Sequence, residues 1–174
     1  MENYLLLNHI LELEELSKSL GFSKTLFLGQ DIMIVKGNPR EILNGCKEAQ
    51  RQKQVTIYFA ENEERLRFVL EKTSVNLVLG MEKIFHKDSP HYPKSGMDQI
   101  LAKLAVATGK TMGFSFSELL NVKDKGKLMH RISFNLGLCK KYKVNFIFGN
   151  FSLRPEEMRS AADLEAIRRV LDLF

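Results

Sequence analysis

Apolar residues along the 174-residue chain fall into two recurring patterns. Short runs rich in Val, Ile, Leu and Phe predict strands over Asn3 to Leu7, Thr25 to Leu28, Ile32 to Lys36, Val55 to Ala60, Val75 to Leu79, Thr111 to Phe116 and Val144 to Phe148. Most of these are continuous rather than alternating, as expected of strands covered on both faces. Between them lie segments with helical spacing and readable starts. Asn38-Pro39-Arg40-Glu41 is a capping box with proline at the first turn, followed by Ile42, Cys46 and Ala49. Ser95-Gly96-Met97-Asp98 has a similar form before Ile100, Leu101, Leu104 and Ala105. Ser160-Ala161-Ala162-Asp163 precedes Leu164, Ile167, Leu171 and Phe174. Helices also fit Leu11 to Leu20, Asn62 to Lys72 and the stripe Leu128, Ile132, Leu136, Cys139.

Strand and helix alternating in this way predict a parallel sheet. Seven strands are one short of a closed eight-stranded barrel. The expected fold is therefore a reduced or distorted TIM-like (β/α) barrel, with an open doubly wound parallel sheet as the alternative. Only Gly29, Gln30 and Asp31 separate the second strand from the third, too few for a parallel crossover. They must form a hairpin or a bend, or one of the two strands is misplaced. The chain has no Ser/Gly-rich linker, low-complexity tract or internal repeat, so residues 1–174 are expected to form a single domain.

Charge changes the picture more than composition does. The net charge is +5. Lys123, Lys125, Lys127, Arg131, Lys140, Lys141 and Lys143 lie close together in sequence against the single acid Asp124, so the excess is local. Such a segment suits a polyanion; a merely solvated lysine face is the bland alternative. Two distant cysteines, Cys46 and Cys139, exclude a disulfide scaffold and point to a reducing, intracellular compartment. No apolar run approaches membrane-spanning length, and no basic leader precedes Leu5.

The candidate chemistry is sparse. There is no phosphate-binding loop, dinucleotide fingerprint or nucleophile elbow. His86 and His91, with Asp88 between them, could be imagined around a metal, but Lys87 and Lys94 would repel a cation, so an ordinary polar loop is expected. Asp98, Glu157 and Asp163 are read as helix first-turn residues, Cys139 as a buried hydrophobe, and Phe114 and Phe116 as core. No catalytic residue and no metal ligand is assigned.

Gly96-Met97-Asp98-Gln99-Ile100-Leu101-Ala102-Lys103-Leu104-Ala105, then Met112-Gly113-Phe114-Ser115-Phe116 and Leu119-Leu120, resembles ribonuclease P protein component three, the archaeal and eukaryotic barrel-like subunit. Lys140-Lys141-Tyr142-Lys143-Val144 and Arg159-Ser160-Ala161-Ala162-Asp163-Leu164 are similar to further family motifs. The match runs in one register from about Asp31 to Leu164. Gln99 stands where the family usually has His, Ala161 where it has Pro, and a helix between the second and third strands is lacking.

The resemblance implies a cytoplasmic, non-catalytic subunit of the enzyme that removes the 5′ leader of precursor tRNA. The RNA of that enzyme is the catalyst and uses Mg²⁺; the protein binds no cofactor. Implied partners are the ribonuclease P RNA, precursor tRNA and a smaller protein subunit, as a heterotetramer; no membrane is involved. The seven cations above would face RNA phosphates, with Lys94, Lys103 and Arg159 as further candidates. The alternative is a metal-dependent phosphoesterase of the polymerase-and-histidinol-phosphatase type, which needs an H-x-H that Asn8-His9-Ile10 does not supply.

Overall fold

A computed structural model describes residues 1–172. Seven strands, β1 (Glu2–Asn8), β2 (Lys24–Leu28), β3 (Ile32–Val35), β4 (Val55–Phe59), β5 (Leu77–Leu79), β6 (Thr111–Ser115) and β7 (Asn145–Gly149), lie in sequential order and are all parallel. Helices connect them: α1 (Leu11–Ser19), α2 (Pro39–Gln52), α3 (Glu63–Lys72), α4 (Gln99–Ala107), α5 (Phe116–Asn121), α6 (Lys125–Tyr142) and, after β7, α7 (Ala161–Leu171). A doubly wound sheet reverses its strand order at a switch point, whereas a barrel does not. The sequential order removes the open-sheet alternative.

Two apolar layers follow from this curl. Tyr4 and Leu6 of β1, Leu26 of β2, Ile32 of β3, Ile57 of β4, Leu77 and Leu79 of β5, and Phe151 after β7 form one buried cluster inside the sheet. Tyr4 and Phe151 stack with ring centroids 5.4 Å apart, joining the two ends of the strand order across the interior. A second, larger cluster lies between the sheet and the helices and includes Ile42, Leu66, Leu101, Phe114, Ile132 and Leu136. Gly113 has no room for a side chain, because a Cβ would collide with Leu79.

The ring closes with very little backbone pairing. One parallel bridge joins Leu5 to Ser152, with the Leu6 N–H donating to the Ser152 carbonyl at 3.0 Å. The buried Asn150 amide adds a side-chain link, donating to Asn3 Oδ1 at 3.0 Å and to the Arg159 carbonyl at 3.1 Å, while its own Oδ1 accepts from the Arg159 N–H at 2.9 Å. This is a barrel one strand short, fastened at the rim by a bridge and an asparagine.

Several expectations are corrected in detail. Of the readings open for the three-residue step between β2 and β3, the hairpin falls and the bend holds: the strands run parallel and share only the pair Leu28–Ile32. Gly29 at φ +80° makes the turn, and Asp31 accepts from the Phe27 N–H at 3.0 Å. The strand expected from Val75 begins at Leu77. Ser95 does not cap α4; Asp98 does, accepting from the Leu101 N–H at 2.8 Å. Gly96, at φ +75° and with its Cα against the Met81 carbonyl, could not sit inside a helix. Phe116 opens α5 instead of ending a strand. The Asn38 capping box and the Ser160 cap form as expected. Phe174, expected on the α7 stripe, lies outside the described residues.

Candidate nucleic-acid interface

Each helix inherits its position from the strand before it, so the loops after the strands' C-terminal ends form one rim of the barrel, where barrel proteins carry their sites. The longest rim loop is a strap, residues 80–98, between β5 and α4. It starts with Gly80 at φ +74° and a 3-10 turn over Met81–Lys83, then runs along α6. Ser95 accepts from the buried Asn135 amide at 3.0 Å, and Met97 Sδ lies 3.9 Å from Cys139 Sγ.

Arg131 of α6 fastens the strap. Its guanidinium is buried, with the side chain only 4% exposed. One terminal nitrogen donates to the carbonyls of Glu82 at 2.8 Å and Phe85 at 2.7 Å; the other lies 2.7 Å from Asp88, to which Nε also donates at 2.8 Å. Burial by itself would push the Asp88 carboxyl up. The hydrogen bond from Arg131 and one from the Lys94 N–H outweigh that and hold it below the usual carboxylate range. Arg131 is thus removed from the phosphate-facing set. Its spacing from Leu128 places it on the apolar stripe, and its whole fork lies inside the fold, out of reach of a phosphate.

The other candidates are solvent-facing, but they are not one patch. Lys123, Lys125 and the half-buried Lys127 stand where α6 begins, at the rim. Lys127 Nζ donates to the His86 carbonyl at 2.6 Å, a second fastening of the strap. Lys94 lies on the strap, its ammonium 5.6 Å from the Phe85 ring centre. Lys140, Lys141 and Lys143 stand at the other end of the 18-residue helix, and Lys103 of α4 joins them there. Lys140 is paired with Asp172 at 2.7 Å. Arg159 is half-buried, one terminal nitrogen donating to the carbonyls of Glu156 and Met158 and its guanidinium lying over the Phe116 ring, so part of its fork is used within the rim.

Two rim carboxylates take roles that the sequence does not foresee. Glu157 is not a helix first-turn dipole partner but a buried hub. Ser117, Asn121 and Arg154 side chains and the Leu153 N–H all donate to it. Burial raises its carboxyl, but these donors together prevail and hold it near 2. Glu82 is the opposite case. It is 1% exposed, neither carboxylate oxygen has a hydrogen-bond partner among the described residues, and desolvation pushes its carboxyl up to about 7. Asn121, three residues before the α6 cap and spaced for one helix face with Ser117, was the readable hint of the first; nothing in sequence marks the second.

Among the described residues, no group of three His, Cys, Asp or Glu side chains is close enough to hold a metal ion. His86 and His91 lie exposed on the strap. Cys139 is buried, and desolvation pushes its thiol up to about 12, which makes it inert. Among the described residues no helix is long and apolar enough to cross a membrane.

A sequentially ordered parallel barrel carrying a lysine-rich helix defines the class: an α/β scaffold that presents cations. The comparisons give that class a relative. The chain is 24% identical over 171 residues to the ribonuclease P protein component 3 of Methanosarcina acetivorans, covering 97% of this chain and 68% of that protein. The resemblance carried by the Gly96 to Val144 motifs is borne out along nearly the whole chain. No family model matches. Its fold is similar to that of a chain in a cryo-EM structure of archaeal ribonuclease P with mature tRNA. The TM-score is 0.68 and the identity 16%, over 98% of this chain and 72% of that one. A crystal structure of an amidohydrolase shares the fold more distantly, with a TM-score of 0.51 and 12% identity over 91% of this chain and 41% of that one.

Two predictions follow from the strap. Replacing Arg131 with Met strands Asp88 and two carbonyls, and should cost about 2–3 kcal/mol in urea unfolding. It should also open residues 83–98 to protease. Arg131→Lys should not restore either property, because an ammonium cannot span a carboxylate and two carbonyls in one plane. Glu82 has the reverse sign from a paired carboxylate. Its folded value lies above its ordinary 4.5, so it lowers stability increasingly between pH 4.5 and 7. Glu82→Gln should therefore match the parent near pH 4 and exceed it at pH 8 by up to about 3 kcal/mol in chemical denaturation. An unchanged difference across that range would show that Glu82 is solvated.

Proposed function

We propose that this chain is a protein subunit of ribonuclease P, supporting the RNA that removes the 5′ leader of precursor tRNA. The observation that carries this reading is the similarity to a ribonuclease P protein component 3 running over 97% of the chain. The shared barrel and the solvent-facing lysines of α6 are consistent with it.

In this reading the chemistry belongs to the RNA and its Mg²⁺ ions. The protein contributes charge and shape. Lysines at the two ends of α6 neutralise phosphates, release condensed counterions and lower the repulsion between packed RNA helices. The barrel keeps α6 rigid, and Arg131 and Lys127 keep the strap from swinging across it. Partners are the ribonuclease P RNA, precursor tRNA and a smaller protein subunit, assembled as a heterotetramer in the cytoplasm.

Native pull-down of the tagged chain, with sequencing of bound RNA, tests the assignment. The expected result is enrichment of one structured RNA that cleaves precursor tRNA in Mg²⁺, together with a small protein. Recovery of no specific RNA would overturn it.

A further inference from the structure

The lysines that read as one basic segment are separated by the helix that carries them. Lys125 and Lys141 are sixteen residues apart on one continuous helix, so their backbones stand about 24 Å apart at 1.5 Å per residue. The outward stripe between them, His130, Phe134 and Gly137, carries no formal charge when the histidine is neutral. A single phosphate contact cannot serve both ends.

The end away from the rim has a local structure that the sequence does not show. Lys103 of α4 and Lys141 of α6 converge on one ring, their ammonium groups 5.9 and 5.6 Å from the Tyr142 centroid. The Tyr142 hydroxyl donates to Gln99 Oε1 at 3.3 Å, which ties the ring to the start of α4. Lys143 follows directly as the helix cap. A ring face attracts one cation, but two cations sharing a ring repel each other. Among the described residues, no carboxylate lies within 4.0 Å of Lys103, Lys141 or Lys143 to offset this, whereas the adjacent Lys140 is matched by Asp172. The three unmatched cations come from two helices and face solvent.

We infer that Lys103, Lys141 and Lys143, gathered around Tyr142, form a second phosphate-binding site, separate from the rim site of Lys123, Lys125 and Lys127. α6 then acts as a two-ended clamp on two distinct backbone segments of one folded RNA. RNA phosphates beside Lys103 and Lys141 offset their repulsion and accept a charge-assisted hydrogen bond from each. The inference rests on the ribonuclease P reading for the identity of the RNA, while the geometry requires only a phosphodiester backbone.

Two charge-removal variants separate the sites: Lys103→Gln with Lys141→Gln and Lys143→Gln, and Lys123→Gln with Lys125→Gln. Lys127 is left intact because it anchors the strap. The full chain, alone and with its co-purifying proteins, is titrated with a ribonuclease P RNA transcript by filter binding over a salt series. Hydroxyl-radical footprints are taken in parallel, and circular dichroism checks the fold. Each variant should weaken binding about tenfold or more and lower the log–log salt slope by about two. Each should also erase protection from a different RNA segment. If the rim variant weakens binding while the other matches the parent, or if both erase the same segment, the second site is overturned and the ribonuclease P reading stands. If the unaltered chain and its co-purifying proteins fail to bind the transcript, that reading falls as well.

Discussion

One buried guanidinium organises the functional side of this barrel. Arg131 sits on the apolar stripe of α6, where a cation is costly unless fully bonded. A carboxylate and two carbonyls of the strap surround it: Nε and one terminal nitrogen donate hydrogen bonds, and the other terminal nitrogen is ion-paired with Asp88. The strap can therefore take only one path, down the side of α6 through Asn135 and Cys139. That path delivers Asp98, the cap of α4, and so sets where α4 starts. It is this placement that brings Gln99 and Lys103 against Tyr142. The cation cluster at the far end of α6 thus depends on a charge pair near its beginning.

The barrel itself is economical. Six of the seven strands contribute to the apolar interior through buried or half-buried residues, yet the ring is fastened by a single bridge and the Asn150 amide. Glu157 holds the adjoining rim loop to α5 through four donors. The polar residues at the rim do the closing that an eighth strand would do with its backbone. This leaves the outer face of the helices free for charge.

Much of this was legible in the sequence, because parallel strands are buried on both faces and announce themselves as continuous apolar runs such as Val55 to Phe59. Caps were equally plain where side chain and proline agreed, as at Asn38. The failures have physical causes. Ser95 and Asp98 are both capping residues three apart, and only the close approach of Gly96 to the Met81 carbonyl decides between them. Arg131 was read by its charge, although its position three residues after Leu128 and four before Asn135 put it on the buried face. Glu157 and Glu82 look alike in sequence; long-range donors supplied to one and withheld from the other set their carboxyls near 2 and about 7. The division of the lysines into two groups follows from helix length, which the stripe from Leu128 to Cys139 had already implied.

A protein that works by neutralising phosphate, with the chemistry left to RNA, has a direct thermodynamic signature. Its cations and Mg²⁺ compete for the same job, so the protein should reduce the Mg²⁺ that the RNA needs. The decisive measurement is precursor-tRNA cleavage by the reconstituted ribonuclease P RNA and its partner subunit across a Mg²⁺ titration, with and without this chain. The account predicts that adding the chain moves the midpoint to lower Mg²⁺ and that the cleavage site is unchanged. A midpoint that does not move would contradict it.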